Sequence, residues 1–158
     1  MKMTGAAEVD ATIREVRCAA AMRGASAVQA LDRALADLVA RPTAAYIGPL
    51  LLLLDDEADY DEAMFSLIHV AEAFTDDEYV AGLLQVLSDM RARAPKWASI
   101  VLMRVLNSAS ARAALVRKLR ETDSPTKQAS LWLCERINER SPTFLAKTTA
   151  VMLAAQAA

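Results

Sequence analysis

Cysteine is nearly missing from this 158-residue chain, which has only Cys18 and Cys134. Two thiols supply neither a disulfide framework nor a paired zinc-ligand set, and each lies in an apolar helical pattern that predicts a buried, reduced thiol. Histidine is scarcer still: His69 stands alone, which excludes multi-histidine metal sites and mechanisms needing two imidazoles. Glycine and proline number four and five; no glycine-rich phosphate loop appears, and helix breakers are few. Runs of β-branched residues are rare, which removes the usual material of strands. Long apolar runs are absent as well. The strongest, Ile47 to Leu54, is broken by Gly48-Pro49 and falls far short of the roughly 20 residues that cross a bilayer, so it predicts a core segment. The opening Met1-Lys2-Met3-Thr4-Gly5-Ala6-Ala7-Glu8-Val9-Asp10 lacks the apolar centre of a signal peptide and turns acidic early. Export is not expected, and the expected location is cytoplasmic.

Alanine and leucine dominate what remains, and they favour helix nearly everywhere. A chain of this length buries roughly 70% of its unfolded surface, enough for one core without staples. The expectation is an all-α fold in a single domain over 1–158, with N-terminal helices in 1–41 and a repeat region in 42–158. Capping chemistry marks the helix starts. Thr75-Asp76-Asp77-Glu78 has capping-box form, and Asp59-Tyr60-Asp61-Glu62 is its aspartate analogue. Ser124-Pro125 and Ser141-Pro142 each place an N-cap serine before a proline at the first helical position, and Pro95 can act likewise. These signals predict helices over 8–22, 26–40, 49–56, 60–74, 76–91, 95–107, 109–122, 125–140 and 142–155.

Three stretches superpose: Phe65-Ser66-Leu67-Ile68-His69-Val70, Ala98-Ser99-Ile100-Val101-Leu102-Met103 and Ala129-Ser130-Leu131-Trp132-Leu133-Cys134. Their serines are 33 and 31 residues apart, the period of a helical hairpin. One hairpin cannot bury both apolar faces alone, whereas stacked hairpins share a continuous core. The predicted architecture is a short HEAT-like α-solenoid of stacked antiparallel hairpins, although a compact bundle of the same helices would share much of this pattern.

Charge is segregated along the chain. From Pro42 to Met90 there is no lysine or arginine, while the acids are Asp55, Asp56, Glu57, Asp59, Asp61, Glu62, Glu72, Asp76, Asp77, Glu78 and Asp89. From Arg91 to Arg140, eleven basic residues face four acidic ones, a net +7 hidden inside an overall −2. Acids at helix starts complement the helix dipole, but that does not account for almost fifty positions without a basic residue, since ordinary surfaces intersperse both signs. A negative face with Tyr60 and Tyr79 beside it suits a basic protein partner, charge speeding encounter and aromatic rings anchoring contact. It repels nucleic acid, and no direct nucleic-acid or membrane partner is expected.

Chemistry is otherwise sparse. His69 and Glu72, three residues apart on one helical face, are the best acid–base pair the chain offers. Trp97, Met103 and Trp132 sit at helical spacings among aliphatics and read as core. No catalytic residue, metal ligand or cofactor is assigned. Two other readings stay open: a helical-repeat adaptor that binds a protein or peptide, and a small enzyme using His69 and Glu72.

The stretch from Tyr60 to His69, followed by Glu72, Phe74 and Tyr79, then Pro95-Lys96-Trp97-Ala98, Arg104-Val105-Leu106-Asn107-Ser108 and Arg112, resembles a family of bacterial immunity proteins. These accompany polymorphic toxins, including contact-dependent growth inhibition systems. The resemblance covers roughly residues 46 to 145. It implies a non-enzymatic inhibitor in the cytosol of the toxin-producing cell and its siblings, binding the C-terminal domain of one cognate toxin. Such toxins are often nucleases, commonly acting on tRNA, and a nuclease needs a basic cleft. The expected interface comprises Asp55, Asp56, Glu57, Asp59, Tyr60, Asp61, Glu62, Glu72, Asp76, Asp77, Glu78 and Tyr79, whose carboxylates would pair with the lysines and arginines that otherwise hold phosphates.

Overall fold

The computed structural model describes residues 2–21 and 23–157; Met1, where the opening segment begins, lies outside them. Among the described residues the chain forms nine α-helices and no strand. They are α1 (Lys2–Ala20), α2 (Ala27–Ala40), α3 (Ile47–Leu51), α4 (Asp61–Glu72), α5 (Asp76–Arg93), α6 (Pro95–Asn107), α7 (Ala109–Leu119), α8 (Ser124–Arg140) and α9 (Leu145–Gln156), with single 3₁₀ turns leading into α3 and α9. No single helix is long and apolar enough to cross a membrane.

Sequence neighbours form hairpins, and alternate helices stack. In one layer α3 packs on α5, α5 on α7 and α7 on α9; in the other, α2 packs on α4 and α6 on α8. Helix α5 also meets α8 across the layers. This is the expected all-α solenoid, and the three superposable stretches fall on α4, α6 and α8 of the same layer. Their serines do the same job. Ser66, Ser99 and Ser130 each donate to the carbonyl four residues back, at 3.1, 2.9 and 3.0 Å. The buried stripe keeps a slightly different register: Ala63, Met64, Leu67, Ile68 and Ala71 recur as Trp97, Ala98, Val101, Leu102 and Val105, then as Ala129, Ser130, Leu133, Cys134 and Ile137. The core therefore steps by 34 and then 32 residues, one more each time than the serines do, and the serine passes from half-buried in α4 and α6 to fully buried in α8.

Several boundaries differ from expectation for local reasons. Helix α3 is one turn, Ile47–Leu51, rather than 49–56: the chain leaves it through tighter turns at Leu53 and Leu54, whose N–H groups donate to the carbonyls three residues back, and the loop from Asp55 onward reaches α6. Tyr60, not Asp59, stands at the N-cap of α4, and no side chain caps it; the Asp59 carboxylate faces Arg23 instead. Asp123 rather than Ser124 caps α8, accepting from the Thr126 N–H at 2.9 Å. Its hydrogen bonds to Thr126 hold the Asp123 carboxyl below its usual range. Ser141-Pro142 opens a 3₁₀ turn before α9, with no side-chain cap. Thr75 caps α5 as predicted, its hydroxyl accepting from the Glu78 N–H at 3.3 Å. The thiols divide: Cys134 is buried, which pushes its pKa up to about 12, with Glu135 adding to the effect, whereas Cys18 is exposed.

Helices α3 and α5 approach closely at Gly82, where a β-carbon would lie 2.6 Å from Ile47 Cγ2 and 2.8 Å from its Cβ. Ile47 is fully buried and branched, so it cannot swing aside. Gly82→Ala gains about 1 kcal/mol of helix propensity but overpacks this contact at a cost of about 1–3 kcal/mol. Because two atoms clash, a net loss is expected in urea unfolding; a variant as stable as the parent would show that α3 moves freely on α5.

Candidate functional site

The acid-rich stretch lies at the two ends of α4. At its N-terminal end the loop from Asp55 to Tyr60 is folded on itself: Asp55 accepts from the Glu57 N–H at 2.9 Å. Arg23, between α1 and α2, donates to the Glu57 carbonyl at 3.2 Å and lies 3.7 and 3.8 Å from the carboxylates of Asp55 and Asp59. Asp56 has a structural task. Ala94, at the N-cap of α6, has no side-chain acceptor to offer, and the two Asp56 oxygens take the free N–H groups of Lys96 and Trp97 at 3.0 and 3.2 Å. A carboxylate there also complements the helix dipole. The Lys96 ammonium donates to Asp61 at 3.3 Å, tying the starts of α4 and α6 together.

At the other end, both Glu72 oxygens accept from Arg104, at 2.6 and 2.8 Å. This bidentate pair joins the last turns of α4 and α6 and raises the pKa of Arg104. Asp77 pairs with Arg117 of α7. A cavity of about 370 Å³ opens between these helix ends, with Glu72, Asp76, Tyr79, Arg104, Asn107 and Ser108 in its lining. Tyr79 is 5% exposed, so it forms a wall of this cavity and does not stand on the open surface beside Tyr60. Its hydroxyl has no hydrogen-bond partner, and burial, with Glu72 nearby, pushes its pKa well above the ordinary phenol value.

The predicted site residues are therefore gathered into two groups rather than one continuous face. Asp55, Asp56, Glu57, Asp59, Tyr60, Asp61 and Glu62 lie at one end of α4, while Glu72, Asp76, Asp77, Glu78 and Tyr79 lie at the other. The 12 residues of α4 separate them by about 18 Å. Tyr60 is exposed. Six of the carboxylates have partners within the chain, but among the described residues Glu57, Glu62, Asp76 and Glu78 are exposed and make no salt bridge. His69 is exposed on α4, its ring centroid 6.3 Å from that of Phe65, and Glu72 is committed to Arg104, so the imagined His69–Glu72 pair is not formed. Charge reasoning missed the partners Arg23, Lys96, Arg104 and Arg117. A usable signal existed: Glu72 and Arg104 are 32 residues apart, and Asp61 and Lys96 are 35, close to one repeat.

Other residues singled out by pattern also meet. The Phe65 and Trp97 rings pack edge to face with centroids 5.2 Å apart, and the Arg112 guanidinium donates to the Leu106 carbonyl. Comparison with known proteins gives one result. The family model described as Immunity protein 30 matches residues 19–115, from the end of α1 into α7. No curated protein and no solved structure matches the chain.

Proposed function

The chain belongs to the Immunity protein 30 family, and from that premise we propose that it protects its own cell by binding the C-terminal domain of one cognate toxin and covering that domain's basic active-site cleft. The proposed toxin is a nuclease effector of a contact-dependent growth inhibition system, acting on tRNA, and the proposed place of encounter is the cytoplasm. No reaction is catalysed. A nuclease holds its substrate by phosphate contacts from lysine and arginine; carboxylates that take those side chains compete directly with the phosphates.

One observation carries the reading. At the two ends of α4, four exposed carboxylates, Glu57, Glu62, Asp76 and Glu78, stand without a salt bridge among the described residues, as Asp89 does farther along α5, in a stretch with no lysine or arginine from Pro42 to Met90. The neighbouring acids are held by Arg23, Lys96, Arg104 and Arg117, which fixes the scaffold on which the free ones are displayed. Rigid placement lowers the entropy lost on binding.

Co-expression tests the proposal. An immunity gene is expected directly downstream of its toxin gene, and the toxin domain encoded there should arrest growth when produced alone, while co-production should restore growth. The two should co-purify at one to one, with tRNA left intact. Growth arrest that persists beside abundant, folded chain would overturn the immunity reading. A complex that restores growth while the toxin proves to act on something other than nucleic acid would overturn only the nuclease part.

A further inference from the structure

The Tyr79 hydroxyl is a hydrogen-bond donor and acceptor, it is buried, and nothing among the described residues bonds to it. A hydroxyl left in that state destabilises the fold, and phenylalanine would fill the same space without the penalty. Polar groups that reduce stability are expected where binding uses them. Tyr79 lines the cavity at the junction of the α4–α5 and α6–α7 turns, and it is close enough to Glu72 and Arg104 for both charges to act on its hydroxyl.

The cavity favours a cation. Its ionised lining groups are Glu72, Asp76 and Arg104, one negative charge in excess. Arg104 is neutralised by its two bonds to Glu72, whereas Asp76 is exposed and makes no salt bridge among the described residues. The remaining polar lining is oxygen-rich, with the Ser108 hydroxyl and the Asn107 amide. Asn107 Oδ1 already accepts from the Lys147 ammonium at 2.7 Å, so the chain itself brings one lysine head group to this place.

We infer that this cavity receives a lysine or arginine side chain of the bound toxin, whose head group donates to the Tyr79 oxygen and to the Asp76 carboxylate. The inference rests on the immunity reading above and adds the point of attachment. It makes this end of α4 the centre of the interface, since desolvated contacts in pockets carry most of the binding energy.

Tyr79→Phe and Asp76→Asn provide the test, using the wild-type complex with the catalytically inactivated toxin domain encoded beside this chain as reference. Tyr79→Phe should keep or raise the melting temperature of the free protein and speed dissociation of the complex by about tenfold or more. Asp76→Asn should also speed dissociation. A Tyr79→Phe protein that dissociates at the wild-type rate would overturn the inference and leave the immunity reading standing. A lower melting temperature for Tyr79→Phe would overturn it too, because the hydroxyl would then have a partner inside the chain. Failure of the wild-type chain to form any complex would overturn both readings.

Discussion

Trp97→Ala should lower the unfolding free energy by about 3–5 kcal/mol. The ring is fully buried, it meets Phe65 edge to face with centroids 5.2 Å apart, and its indole N–H has no partner to lose. The whole effect is therefore packing: removed contacts plus the void left between α4 and α6. Against the 5–15 kcal/mol that holds a typical domain together, such a loss brings the protein near its threshold. Trp132 provides the internal control. It was expected in the core, yet it is only half-buried, lying between the Arg91 and Arg136 guanidinium groups at 4.8 and 5.2 Å. Trp132→Ala should cost about 1–2 kcal/mol, the sum of partial burial and exposed cation–π contact. The chain has two tryptophans, so each variant can be unfolded in urea while the remaining indole reports. A loss below about 1 kcal/mol at Trp97 would be incompatible with a buried ring.

The fold was legible because its signals are local and agree with one another. Alanine- and leucine-rich segments, the Thr75 cap and Pro95 all point to helices at nearly their observed positions. The three serine-led stretches mark a repeat that the structure places on α4, α6 and α8. Errors arose where a distant residue decided the local outcome. The expected helix 49–56 stops at Leu51, and the loop that follows is held by Asp56, which caps α6, 40 residues away. No window of neighbouring residues contains that information. Asp123 displaced Ser124 as the cap of α8 for a reason that was available: a carboxylate accepts the N–H bond more strongly than a hydroxyl and also faces the helix dipole.

The candidate site was legible in charge and not in geometry. Counting acids correctly located the stretch without basic residues, but it treated those acids as equivalent. The fold makes them unequal. A solenoid puts residues one repeat apart side by side, so Glu72 meets Arg104 and Asp61 meets Lys96. The sequence dipole is thus partly closed within the molecule, and the carboxylates left over are those that make no salt bridge among the described residues. Tyr79 could not be assigned from sequence, because its place on the fourth position of α5 leaves both the exposed and the buried reading open.

This division changes how the acidic ends should be tested. Replacing every acid in 55–62 would confuse binding with folding, since Asp56→Asn weakens the cap of α6 and Asp61→Asn releases Lys96. The informative variants are Glu57→Gln with Glu62→Gln at one end of α4, and Asp76→Asn with Glu78→Gln at the other. Each pair removes two units of negative charge and no internal salt bridge. Steered association between proteins reaches 10⁸–10⁹ M⁻¹s⁻¹ at low salt against about 10⁵–10⁶ without steering. Each pair should therefore slow toxin association by about tenfold at low ionic strength. The Coulomb contributions of the two ends to the encounter free energy add, so their effects on the rate should multiply to about a hundredfold in the fourfold variant. Raising salt to 1 M, where screening shortens to about 3 Å, should bring all four proteins to nearly the same association rate. Dissociation should separate the ends: the Glu57 and Glu62 changes leave it nearly constant, while Asp76→Asn accelerates it through the cavity. Stopped-flow mixing of each variant with the inactivated toxin domain measures both rates. If the fourfold variant associated as fast as the parent at low salt, the free carboxylates would have no part in capture, and the contact surface would have to lie on the basic helices α6 to α8.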